Sequence, residues 1–169
     1  MTTEDWPSQR AKLGSIPPAS EMIPVPGELS RQGAGHRLVP HTADCIIESW
    51  GPDRPTCFTE ALYALVEEFA EVGDAPATEV LPLAASSAGS EEALVSLLEE
   101  VIYNLDVASV VPLRFHLAET DTGEVAGDME VVPLDRVTIV GPAPKGVSYH
   151  ELFVRLESGL WRSHVVIDV

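Results

Sequence analysis

The chain has 169 residues, enough for one domain with a substantial core, and 45 % of them are hydrophobic, which excludes wholesale disorder. Ten Lys and Arg stand against 27 Asp and Glu, a formal charge of −17. Nucleic acid is held mainly by cationic side chains that displace counterions from phosphate, so direct RNA or DNA binding is not expected. The expected partners are metal ions or basic protein surfaces, with most of the acidity serving solubility.

No apolar run approaches the roughly 20 residues that span a bilayer, so no membrane association is expected. Residues Met1 to Ser30 lack a basic stretch followed by an apolar one, which leads to the expectation of a cytoplasmic protein. Cys45 and Cys57 lack metal-ligand spacing and read as reduced, core-type residues.

Residues 1–34 are rich in Pro, Gly and Ser without a sustained period, and read as a disordered or loosely attached arm before a domain spanning 35–169. Arg37-Leu38-Val39 forms a short strand stopped at Pro40, and Cys45 to Trp50 a second, ended by Gly51-Pro52-Asp53. The first helix takes Thr56 as N-cap. Phe58, Ala61, Leu62, Leu65, Phe69 and Val72 make its apolar stripe, and Gly73 is its stop. Thr78 to Ala84 reads as an edge strand because of Pro82.

A second helix is capped by Ser90, with Glu91 and Glu92 in its first turn and an apolar stripe from Leu94 to Leu105. From Val111 the period changes to two: Leu113, Phe115 and Leu117 alternate with Arg114, His116 and Ala118. Asp121-Thr122-Gly123 then turns the chain into Glu124 to Val132. Val137 to Val140 is short and apolar, and Leu152 to Leu156 pairs with Leu160 to Val169 around Ser158-Gly159. This order, without βα alternation, defines an α+β single domain: a mostly antiparallel β-sheet with two amphipathic helices, each laying one face on it.

Three polar segments stand out. His41-Thr42-Ala43-Asp44 separates two strands, Lys145-Gly146-Val147-Ser148-Tyr149-His150 enters the last hairpin, and Asp168 is the sole acid in an apolar terminal strand. An ionised carboxylate there is expensive unless it is paired or metal-bound. The Val169 carboxylate, one residue away, adds a second anion. A divalent ion bound by Asp168, Val169 and Asp44 resolves the conflict, and three hard oxygen donors favour Ca²⁺ or Mg²⁺, with Mn²⁺ also in range. Each residue taken alone also has an ordinary reading. Asp168 fits a frayed end, Asp44 a turn, His41 and His150 packed histidines, and Lys145 a solvated lysine.

Together these segments resemble the archease family. His41 to Asp44 is similar to its opening His-Thr-Ala-Asp motif, and Gly51 follows the next strand. Glu100, Tyr103 and Asp106 are similar to an acid–aromatic–Asp series ending the second helix. Lys145 to His150 resembles Lys-Ala-x-Thr-Tyr-His, with Gly146 for Ala and Ser148 for Thr, and Ile167-Asp168-Val169 resembles the hydrophobic-Asp-aliphatic ending. The second helix carries Leu97 where many members carry Trp.

The resemblance implies a non-enzymatic accessory protein that activates an RtcB-type RNA ligase in tRNA splicing or RNA repair, promoting its guanylylation and multiple turnover. It also implies a link, as chaperone, to a tRNA methyltransferase. Asp44, Asp168 and Val169 are the implied ligands of a divalent ion, calcium in the family. His41, Lys145, Tyr149 and His150 are candidates for acting on the partner, with Glu100 and Asp106 as further positions. The competing enzyme class is a metal-dependent hydrolase using His41, Asp44, His150 and Asp168. The sequence shows no phosphate loop or metallohydrolase motif for it.

Overall fold

The computed structural model describes residues 33–169, so the expected arm lies, but for its last two residues, outside the described residues. Nine strands and two helices follow: β1 (Gly35–Pro40), β2 (Asp44–Gly51), α1 (Arg54–Phe69), β3 (Ala70–Glu71), β4 (Glu79–Ala84), α2 (Ser90–Ala108), β5 (Val110–Glu119), β6 (Val125–Pro133), β7 (Thr138–Ile139), β8 (Gly146–Glu157) and β9 (Leu160–Asp168). A 3-10 turn at Leu134–Arg136 precedes β7. All pairings are antiparallel, in sheets ordered β1-β2-β9-β8, β4-β6-β5 and β3-β7. The α+β architecture is the one expected from the sequence.

The prolines explain which strands are edges. Pro82 lies on β4 and Pro112 on β5, the two outer strands of the three-stranded sheet, where a missing N–H is tolerated. Pro40 ends β1, the edge of the four-stranded sheet.

Both helix starts differ from the sequence reading. The cap of α1 is Asp53, whose Oδ1 accepts the N–H of Thr56 at 2.8 Å, with Pro55 in the first turn. Thr56, three residues later, is the donor. Gly89 is the N-cap of α2 and offers no side chain, while Ser90 is already helical. The α1 stop also moves. The helix ends at Phe69 because Ala70 is extended and pairs with Ile139. Val72 therefore lies past the helix, and Gly73, at φ +56°, serves the following turn.

Each helix packs on two sheets rather than one. The α1 helix meets β2 and β9 as well as β5, and α2 meets β8 as well as β4 and β5. The small residues Cys57 and Ala64 are fully buried beside Phe58, Ala61, Leu62, Leu65 and Phe69, which widens the buried face beyond the apolar stripe. Strand side chains Ile47, Val165, Ile167, Val111, Met129 and Val131 complete the core. Ser49 and Ser163, opposite each other on β2 and β9, are buried but satisfied: their hydroxyls lie 2.6 Å apart and Ser49 donates to the Cys57 carbonyl at 2.8 Å.

Two polar ties hold the periphery. The Arg54 guanidinium donates to the Gly123 carbonyl (2.6 Å) and pairs with Glu119 (2.9 Å). It also reaches the Ala88 carbonyl and Ser90 Oγ (both 3.3 Å) and lies 5.7 Å from the centre of the Trp161 ring. It thereby joins the start of α1 to the β5–β6 turn, the entry of α2 and β9. His36 on β1 places Nδ1 2.7 Å from Glu60 and Nε2 2.9 Å from Glu67, two carboxylates on α1. Carboxylates only accept, so both ring nitrogens must donate, and the Glu60 hydrogen bond leads the causes that raise the His36 pKa above its usual 6.5.

Two predictions follow from these ties. Arg54→Met should lower unfolding stability by about 2 kcal/mol in denaturant titrations, and Arg54→Lys should not restore it, because an ammonium cannot fork to several acceptors. A raised folded-state pKa means that His36 stabilises fully below its unfolded value and loses this contribution as pH rises through the folded value. Denaturation midpoints should therefore show a decline above pH 6.5 that Glu60→Gln and Glu67→Gln together flatten.

Candidate functional site

The β2–β9 pairing brings the two ends of the domain together. Asp44, first residue of β2, lies directly opposite Asp168, last residue of β9, and Asp168 in turn lies opposite Gly146, first residue of β8. Opposed residues share a face of the sheet, so the two carboxylates belong to one end of one face, with Cβ atoms about 5 Å apart. A Cβ built on Gly146 would stand 3.9 Å from Asp168 Oδ2, so this glycine floors the carboxylate without crowding it.

Lys145 closes the third side. Its N–H donates to the Asp168 carbonyl at 2.8 Å and its Nζ donates to a Val169 main-chain oxygen at 3.3 Å. His41 stands at the rim, with Nδ1 3.9 Å from Asp44 Oδ2, beyond hydrogen-bond range. Asp44 is about a third exposed and Asp168 is exposed, so both carboxylates are open to a ligand from solvent.

A cavity of 190 Å³ opens beside this cluster, lined by Leu38, Val39, Pro40, His41, Asp44, Cys45 and Glu68. It exceeds by far the roughly 10–15 Å³ that admits a water. Glu68, from the last turn of α1, is the residue that the sequence reading missed. It lies off the apolar stripe and looks like an ordinary solvated acid until the helix is docked against β2. Burial, with Glu68 next, pushes the Cys45 thiol up to about 12, and burial also raises that of Cys57. Both thiols are free and buried core residues, as expected.

Among the described residues no three His, Cys, Asp or Glu side chains converge as a metal-binding group. A cation bound here would have two side-chain carboxylates to draw on, Asp44 and Asp168, and would need further donors from Val169 and from water. This donor set is all oxygen, which fits Ca²⁺, Mg²⁺ or Mn²⁺ and does not fit a thiolate or imidazole metal centre.

The remaining candidates separate. Lys145 and Ser148 stay with the strand, but Tyr149 and His150 stand on a bulge: residues 149–152 face the single residue Val165 between the pairs Ser148–Val166 and Phe153–His164. Tyr149 is 64 % exposed, and the His150 backbone N–H donates to Ser148 Oγ at 3.2 Å. On α2, Glu100 accepts from Asn104 at 3.1 Å, while Tyr103 and Asp106 are exposed. These positions sit on the helix surface, apart from the hydrogen bonds at the end of β9.

A small α+β domain with paired carboxylates at the meeting of its first and last long strands is the class of protein defined so far. The comparisons place it further: residues 36–169 match the Archease protein family, and the chain belongs to that family. It is 37 % identical over 138 residues to the "Probable protein archease" of Mycobacterium tuberculosis, covering 80 % of this chain and 75 % of the relative. It is 22 % identical over 152 residues to the "Protein archease" of Methanosarcina barkeri, covering 83 % of this chain and all of the relative.

Two solved structures share the fold. The solution structure of Methanobacterium thermoautotrophicum protein 1598 aligns with a TM-score of 0.60 at 20 % identity, covering 80 % of this chain and 99 % of that one. The crystal structure of an archease, "possible chaperone", from Thermotoga maritima aligns with a TM-score of 0.57 at 19 % identity, covering 79 % and 96 %. No described helix is long and apolar enough to cross a membrane.

Like charges directly opposite on a sheet destabilise it by roughly 0.2–1 kcal/mol. In chelator, Asp44→Asn should therefore stabilise the protein by about that amount in urea titrations. Destabilisation would show that Asp44 is held by interactions other than a bound cation.

Proposed function

We propose that the chain is a divalent-ion-binding accessory protein for an RtcB-type RNA ligase and not itself an enzyme. The observation that supports this most is the Asp44–Asp168 pair, a local charge conflict placed by strand register beside Lys145 and Val169. Asp44, Asp168 and the Val169 carboxylate hold the ion, and Lys145 keeps the end of β9 in place. When bound, the ion supplies the positive charge that lets two opposed carboxylates lie together. His41 and Lys145, at the rim, and Tyr149 and His150, on the bulge, face the partner.

The protein's net charge of −17 suits a cationic, RNA-binding cleft as its docking surface. The ligase partner, its activation through guanylylation, the role in tRNA splicing or RNA repair and the cytoplasmic location come with the resemblance to archeases. The Thermotoga maritima archease is described as a possible chaperone, in keeping with an accessory role toward another enzyme, such as a tRNA methyltransferase.

Calorimetry with Ca²⁺ and Mn²⁺ on the native chain, Asp44→Ala and a chain extended past Val169 tests the site. Both variants should lose more than about 10-fold in affinity, the low end of what losing even an outer partner costs at metal sites. In a ligation assay with an RtcB-type ligase the native chain should raise turnover and the two variants should not. Unchanged affinity in both would remove the proposed ligands, and turnover unaffected by the native chain would remove the proposed partner.

A further inference from the structure

The four-residue bulge of β8 has an unusual residue within it. Glu151 lies at φ +57°, a left-handed conformation that a residue with a Cβ seldom adopts without compensation. Its carboxylate stands between two imidazoles, at ion-pair rather than hydrogen-bond distance: Oε1 is 3.8 Å from His150 Nε2, and Oε2 is 4.0 Å from His164 Nε2.

His164 is the second anomaly. It is only 15 % exposed, and its Nε2 is a buried polar atom without a hydrogen-bond partner, which native structures rarely tolerate. Its ring stacks on Phe153 at 5.6 Å, which leaves it little freedom to rotate away, and the Arg155 guanidinium lies over the other partner of that stack, 4.2 Å from the Phe153 ring centre. The other ring nitrogen, Nδ1, lies 3.6 Å from Glu48, which Arg37 pairs in turn.

Register explains why these groups meet. Arg37, Glu48, His164 and Phe153 form one cross-strand row, and Asp44, Asp168 and Gly146 form another, four residues away along β2 and β9. Alternation puts both rows on one face, opposite to Cys45, Ile47, Val165 and Ile167 of the core. Glu151 reaches back from the bulge to the row that contains His164. A regular strand would have set residues 149–152 in line with β9; the bulge lifts them out of it and aims their side chains anew.

We propose that Glu151 and His164 are positioning residues for His150: one carboxylate, held in a left-handed bulge, lies within ion-pair distance of both imidazoles and sets how His150 is presented. Glu48 and Arg37 hold His164 from the other side. The inference deepens the proposed function, because His150 is there a group that faces the partner. The carboxylate bridge stands or falls independently of any ligase.

Imidazole ¹⁵N spectra of the full chain test it. Glu151→Gln should shift the Nε2 signals of both His150 and His164, and His164→Gln should shift that of His150, while the His116 signals stay in place as a control. Glu151→Gly removes both the strained backbone and the carboxylate, so it should raise the denaturation midpoint yet shift the same two signals. In the ligation assay, Glu151→Gln and His150→Gln should each lower stimulation, and the double variant should lose no more than the worse single one. Unmoved Nε2 signals in Glu151→Gln, or losses that multiply in the double variant, would overturn the proposal. Absence of stimulation by the native chain, with the spectral shifts intact, would overturn only the ligase reading.

Discussion

The antiparallel pairing of β2 with β9 is the constraint on which the rest of the molecule depends. It runs from Asp44–Asp168 to Gly51–Trp161 and joins the first long strand of the domain to the last. Its inner face, with Ile47, Val165 and Ile167, gives α1 the surface on which Phe58, Leu62 and Leu65 are buried. A shift by one residue would turn this apolar set outward and put the charged row inside, so the hydrophobic pattern fixes the register firmly. The same register then fixes the chemistry, because it leaves no choice about which carboxylates face each other at the strand ends.

The acidity of the chain thus divides into two kinds. Most carboxylates are solvated, or paired with a nearby cation, as Glu119 is with Arg54. Asp44 and Asp168 are different, since a rigid ladder sets them opposite each other and the nearest lysine contact, from Lys145, goes to Val169. Flexible surface acids relieve repulsion by rotating apart. Two that begin and end paired strands have less freedom, and a bound cation would relieve their repulsion.

Much of the fold was legible from local pattern. Alternation from Leu113 to Leu117, the apolar period of Leu94 to Leu105 and the edge proline Pro82 all mark the elements that form. The failures share a cause, which is that tertiary contacts decided them. The α1 helix stops at Phe69, before Gly73, because Ala70 has a strand partner in Ile139, far along the chain, and Asp53 caps it while Thr56 supplies the N–H. The second sheet against α1 was hidden because the small residues Cys57 and Ala64, though fully buried, lie outside the apolar stripe.

In the candidate site, Asp44, Asp168 and Lys145 were recognisable as residues out of keeping with their surroundings, and the structure brings them together. Glu68, Glu151 and His164 were not, since nothing in local sequence shows that a helix acid lines a cavity or that a strand will bulge by several residues. The run Lys145 to His150 looked like one motif, but the bulge splits it into a half beside Asp168 and a half on the outer face.

The proposed divalent ion would sit where β2 and β9 end. Titrating substoichiometric Mn²⁺ into the ¹⁵N-labelled protein tests this most directly, because paramagnetic broadening reports distance from the ion. The amides of Asp44, Lys145, Gly146 and Asp168 should broaden first, while those of β4 and β6 remain sharp. Broadening that begins on another acidic surface, or spreads evenly over the molecule, would contradict it.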